Sequence, residues 1–312
     1  MANDKKLHDN LSRVKAPSPL GKSIFVGLRL TDALWQYAFL HRGWATQFIQ
    51  WLRGTPVPVM DVVQGRLNPY HQMFVVMSLG SGIKQAIHMG LISEQELSAG
   101  QGLGIGFFNT VFNSTNILFS IWSLTSQSPA SDTWLGLLSS PSVAIGAAAY
   151  AVGIVTELMS ELQRQRFKKN PANKGKPYGG GLFSLATNIN YGAYTLWRGG
   201  FALASGGWAW GLFTCSFFFY DFVTRGVPVL DQYCTERVTI SSISPRRSGF
   251  VQYTLTARYF STEHHGLKSN PASIIVCCQA SIKRPTEVEL VRYGDIELEQ
   301  TLTSWVTTSS YR

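Results

Sequence analysis

The sequence predicts an all-α polytopic integral membrane protein: a helical bundle of about six to seven spans with an irregular C-terminal tail. Two observations predict it. First, the chain has 312 residues and a near-neutral mean hydropathy, but its charged residues are segregated. Four stretches carry no Asp, Glu, Lys or Arg: Leu97 to Ser131, Thr133 to Thr156, Pro177 to Trp197 and Gly199 to Tyr220. A helix needs about 20 apolar residues to cross a hydrocarbon core of roughly 30 Å, so each stretch is long enough. Second, positive charge is concentrated between them, with six Lys or Arg side chains in the thirteen positions from Arg164 to Lys176.

Residues 1–22 form a polar, basic leader without an apolar h-region, expected to lie in the cytosol. The membrane body is expected over 23–237. Its first two candidate spans, Ser23 to Leu40 and Met73 to Ile92, carry charge. Arg29 and Asp32 are three residues apart, and Lys84 and His88 four, so each pair shares a helix face. The simpler expectation is that these groups snorkel to the interface; the alternative is that they line a cavity. The prolines and glycines of 54–69 mark a loop. Gly102-xxx-Gly106 and Gly207-xxx-Gly211 are small-residue pairs of the kind that let helices approach closely. Cys215, Cys234, Cys277 and Cys278 lack metal-ligand spacing, and no metal site is expected.

Glu157, Glu161, Arg164 and Lys168 follow one face of the next helix, acids first and bases last, which complements the helix dipole. Pro171 stops that helix, and "NPANKGKPYGGG" reads as an exposed loop. The positive-inside rule places this loop in the cytosol. Beyond it, Thr187, Asn190, Tyr191, Tyr194 and Arg198 fall at 0, +3, +4, +7 and +11, a polar stripe along an otherwise greasy helix. Unsatisfied polar groups cost on the order of several kcal/mol each in hydrocarbon, so the stripe must face other helices or a cavity. "FFFYDFVTRGVPVLDQYCTER" then returns Asp221, Arg225, Asp231, Tyr233 and Arg237 to the cytosolic face. Guanidinium forks and free backbone amides gathered there suit a phosphate.

The run from "SELQRQRFKKNPANKGKPYGGGLF" through "NINYGAYTLWRGG" to "DQYCTER" resembles the fungal branch of the steroid 5α-reductase C-terminal-domain family. Members are related to sterol reductases and, more distantly, to isoprenylcysteine carboxyl methyltransferases. The resemblance is densest over about 140–237. It implies a reductase of the endoplasmic reticulum that takes NADPH at the cytosolic side and reduces a C=C bond of a sterol-like or isoprenoid lipid from the bilayer. The cofactor set expected on this basis is Glu161, Gln163, Arg164, Asn173, Lys174, Gly181, Asn190, Arg198, Arg225, Asp231, Tyr233 and Arg237. Tyr191 is the expected catalytic donor to a developing enolate oxygen. The expected partners are the lipid bilayer and a lipophilic small molecule, with no nucleic acid. The family's Arg-His pair is replaced by Thr187-Asn188, which weakens phosphate binding. Two alternatives stand beside the reductase: a methyltransferase using S-adenosylmethionine, and a catalytically inactive protein of the same fold. From Val238 the chain departs from the family, and 238–312 is expected to be translated intron or a frame lost at a missed splice junction; valine codons begin with the GT that opens an intron.

Overall fold

The computed structural model describes residues 14–61, 65–129, 133–174, 176 and 178–230. Asp231, Tyr233, Arg237 and the atypical tail lie outside them. Among the described residues the architecture is helical, as expected. It comprises α1 (Pro19–His41), α2 (Trp44–Trp51), α3 (Pro69–Ile87), α4 (Ala99–Ile121), α5 (Pro141–Lys169) and α6 (Ile189–Asp221). The strands are β1 (Met60–Asp61) and β2 (Arg66–Leu67), an antiparallel pair pairing Met60 with Leu67. Helix starts follow the local sequence. Proline opens α1, α3 and α5, where its fixed φ suits the first turn and its missing N–H is no loss. The Asn68 side chain accepts from the His71 amide at the start of α3. Ser98 and Gln101 cap α4 reciprocally.

Helix α6 is a hairpin. Straight, its 33 residues would reach about 50 Å. Gly207 interrupts them with φ 75° and ψ −170°, a conformation open essentially to glycine. The chain doubles back there, so Gly199 lies against the side chain of Cys215 and Gly211 against that of Leu203. At the open end of the hairpin the Tyr191 ring stacks on Phe222 at 4.5 Å. Gly207 is thus a turn and not the packing residue that its spacing with Gly211 suggested. Gly102 and Gly106 do pack, against the backbone of Gly21 and the side chain of Leu28 on α1. Gly146 and Gly153 do the same between α5 and α6, meeting Gly200 and Ala204, and Ala193 and Trp197. With no Cβ in the way, neighbouring backbones come into contact.

One end of the bundle joins the start of α1 to the loop between α3 and α4. Lys22 Nζ donates to the Ser93 carbonyl at 2.6 Å, and the Lys15 ammonium bonds Glu94 and holds that exposed carboxyl below its ordinary range. At the other end Tyr70 Oη donates to the Ala204 carbonyl at 3.0 Å. Between the ends the usual distribution of polarity is inverted. Leu34, Val76, Phe107, Val152, Val155, Leu212 and Phe213 are exposed, whereas Arg29, Asp32, Lys84, Glu157, Glu161 and Arg198 are buried. The snorkelling expected of Arg29, Asp32 and Lys84 is therefore corrected: all three are buried, because partners on neighbouring helices reach them, and His88 alone of the two pairs is partly exposed.

Among the described residues, two helices are long and apolar enough to cross a membrane, Pro69–Ile92 and Pro141–Lys169. On that measure the expected six to seven spans are not reached. Glycines and asparagines dilute the apolar content of α4, and α6 is cut at Gly207.

Replacing Gly207 with alanine forces a Cβ into a forbidden backbone region and is expected to cost about 1–3 kcal/mol. Gly104→Ala, within α4 and facing open space, serves as the control and is expected to stabilise by about 0.5–1 kcal/mol. A thermal unfolding series of the two variants checks this.

Candidate functional site

Five helices contribute to one buried polar network. On α3, Lys84 stands one turn before His88, which opens a π-helical turn (His88–Ile92). On α5, Glu157 stands one turn before Glu161. Lys84 Nζ pairs with Glu157 and, at 3.1 Å, with Glu161. His88 Nδ1 lies 2.8 Å from Glu161 Oε2. From α6, Trp197 Nε1 donates to Glu157 Oε2 at 2.7 Å. Only His88 reaches solvent, with 32% of its side chain exposed. Two carboxylates facing one ammonium leave this cluster one negative charge in excess when His88 is neutral.

Deeper in, Arg29 of α1 donates to Asp32 at 2.9 Å, to Gln85 at 2.6 Å and to Ser81 at 3.1 Å. Asp32 also accepts from Gln36 at 2.9 Å and from Asn113 of α4 at 2.6 Å. Asn109 Oδ1 accepts from Gln85 at 3.2 Å and from Arg198 of α6. This cluster holds two guanidinium groups against one carboxylate, so its excess charge is positive. Adjacent residues join the clusters, Lys84 to Gln85 and Trp197 to Arg198.

Arg198 is the least compensated member. Its guanidinium lies over four rings: Trp197 at 4.4 Å, Tyr194 at 5.2 Å, Phe112 at 5.3 Å and Phe218 at 5.4 Å. Nε donates to Tyr194 Oη at 3.1 Å, while Nη1 is buried without a hydrogen-bond partner. Asn190 Oδ1, two turns earlier on the same limb, is likewise buried and unpartnered.

The remaining expected site residues divide into two groups. Tyr191 and Arg198 face the chain beyond the turn, Arg198 lying over Phe218 and Tyr191 meeting Phe222 and Gly226, while Asn190 is buried on the first limb. Arg225 stands there too, bonded to Asp221 at 2.8 and 2.6 Å. Thr187 precedes α6 and is exposed, so the inward-facing stripe begins at Asn190. The second group folds the basic loop back onto α5. Gln163 Oε1 accepts from the Leu182 amide at 2.9 Å, steadied by the positive φ of Gly181. Arg164 lies over the Phe183 ring at 5.5 Å. Asn173 donates to the Phe167 carbonyl at 3.1 Å, and Lys174 is exposed.

Sequence reasoning missed Asn109 and Asn113 as network members and missed the pairing of Lys84 with both glutamates. A signal was present: Asn109, Asn113 and Asn116 fall at 0, +4 and +7, one face of an uncharged helix.

The fold and this network define a class: a mainly helical protein with a charged interior, an apolar exterior and a hairpin at one end of the polar network. Residues 101–241 match the family described as "Protein of unknown function (DUF1295)". The protein named "Probable O-methyltransferase ustE" of Ustilaginoidea virens is 37% identical over 242 residues, covering 75% of this chain and 84% of that protein. The chain belongs to this family. No solved structure matches it.

That relative overturns the expected reductase activity and the expected NADPH, because its name gives methyl transfer to oxygen and not hydride transfer to carbon. The geometry agrees with the correction. Arg225 is closed on Asp221, so that guanidinium fork, expected to grip a phosphate, is engaged within the protein.

Lys84→Met leaves two buried carboxylates without their ammonium and is expected to cost about 3–5 kcal/mol. Adding Glu157→Gln and Glu161→Gln is expected to restore much of the loss, read as the unfolding midpoint of each variant.

Proposed function

We propose that the protein is a membrane-embedded O-methyltransferase that uses S-adenosylmethionine and acts on a lipophilic acceptor. The observation that carries this reading is the 37% identity to the relative named as an O-methyltransferase, over most of both chains. Its membrane setting rests on the apolar exterior. A soluble protein rarely leaves so much contiguous apolar surface exposed, and charges inside a bilayer turn to the bundle interior and pair. The basic strip and the open end of the α6 hairpin lie at the end that the positive-inside rule turns to the cytosol.

The residues present fit the donor. Arg198 Nη1 is a buried donor and Asn190 Oδ1 a buried acceptor, both unpartnered on one helical limb. Eight residues separate them, about 12 Å along the axis. The rings of Tyr191, Tyr194 and Phe222 lie between or beside them. Arg198 is suited to the donor's carboxylate and Asn190 to its amino groups, and the ring faces to its sulfonium and adenine. When bound, S-adenosylmethionine supplies a methyl group to an acceptor oxygen and departs as a neutral thioether. Glu157 and Glu161, with one more negative charge than Lys84 neutralises, are placed to hold the proton that an acceptor hydroxyl releases. His88, the partly exposed member, links them to solvent. The surrounding helices exclude bulk water.

Thermal unfolding of the full chain in micelles tests the reading. S-adenosylhomocysteine at a hundred times its Kd is expected to stabilise by about 2.7 kcal/mol, and NADPH not at all. Asn190→Ala is expected to weaken S-adenosylhomocysteine by about tenfold, roughly 1.4 kcal/mol. No stabilisation by S-adenosylhomocysteine at millimolar concentration refutes the assignment.

A further inference from the structure

S-Adenosylmethionine carries no phosphate, so the methyltransferase reading leaves the densest positive charge in the chain without a role. That charge is held in a defined place. Helix α5 has 29 residues, about 43 Å, against a hydrocarbon core of roughly 30 Å. Measured from Pro141, the apolar thickness is used up near residue 161, so Arg166, Lys168 and Lys169 stand at headgroup depth. The loop does not carry Lys174 and Lys176 away from them. Asn173 is tied to the Phe167 carbonyl at 3.1 Å, and the Tyr178 ring packs on Phe167 at 4.8 Å and on Phe183 at 5.6 Å. Among the described residues, Arg166, Lys174 and Lys176 are exposed and have no ion-pair partner. The neighbouring carboxylate, Glu94, is bonded by Lys15 and also attracts Lys168 and Lys169, one negative charge against the whole rim.

We propose that this cationic rim, the end of α5 together with the folded-back loop through Lys176, binds the phosphate and carboxylate groups of anionic phospholipids in the leaflet that surrounds it. The inference rests on the bilayer placement proposed above and deepens it. A topology signal needs positive charge but not order; here aromatic packing and side-chain bonds hold the loop's cations beside the helix end. Cations held at headgroup depth attract anionic lipid within a Debye length. Tyr178 presents a ring of the type favoured at the membrane interface.

The test uses the full chain in phosphatidylcholine vesicles containing a minority of phosphatidylserine. Flotation with pure phosphatidylcholine vesicles reads the bilayer placement alone. Spin-labelled lipids then report which headgroup is restrained at the protein surface. The expected result is about fivefold enrichment of phosphatidylserine over phosphatidylcholine, falling with added salt. The variant Arg166→Gln/Lys169→Gln/Lys174→Gln/Lys176→Gln is expected to lose the enrichment while keeping its melting temperature in pure phosphatidylcholine. Equal restraint of the two lipids by the wild-type chain overturns the proposal, as does undiminished enrichment in the variant. Failure to float with vesicles of either composition overturns both the rim and the bilayer placement.

Discussion

A lysine buried between two glutamates holds this structure in register. Lys84 on α3 meets Glu157 and Glu161 on α5, and the same glutamates reach His88 and Trp197. Charges taken out of water are tolerated only when paired and hydrogen-bonded. Once these residues lie inside, α3, α5 and α6 have little freedom to slide, because a shift of one turn would strand an ammonium or a carboxylate. Arg29, Asp32 and Asn113 impose the same condition on α1 and α4. Apolar contact alone sets no such register.

Glycine makes the pairing reachable. Charged partners meet only if helix axes come close, and Gly146 and Gly153 let α5 and α6 touch backbone to backbone. Gly207 adds a different service by reversing the chain. That reversal brings Phe222 and Gly226 back to Tyr191 and Phe218 under Arg198. The ring faces that surround Arg198 and Tyr191 in the proposed donor site therefore depend on the hairpin.

Much of this was legible in the sequence. The stretches 97–131 and 133–156 marked α4 and the first half of α5, whereas the last two were divided at Arg198, inside a helical limb, and not at the Gly207 turn; the spacing of Tyr194 and Arg198 marked the inward face of α6. The packing of Gly102 and Gly106 was readable from their separation. What the chain hid has physical causes. A glycine at a turn and a glycine at a contact look alike in sequence, so Gly207 was misread. Arg29 and Asp32 were expected at the interface because a charge pair on one helix does not reveal the acceptors waiting on the next. The chemistry was misassigned for a related reason: arginines near a glycine-rich loop suggest phosphate, yet Arg225 bonds Asp221 one turn away. Residues close in sequence were given distant partners, and residues distant in sequence were not paired.

The account stands or falls on the inversion of polarity, with charges inside and hydrocarbon-compatible side chains outside. Nitroxides placed singly at Phe107, Val152 and Leu212, in a background without the native cysteines and in lipid nanodiscs, read this directly. Collisions with dissolved oxygen are predicted to exceed collisions with a water-soluble nickel chelate at all three positions. Frequent collisions with the nickel chelate at these sites contradict the account, since they would place in water the surface that is argued to face lipid.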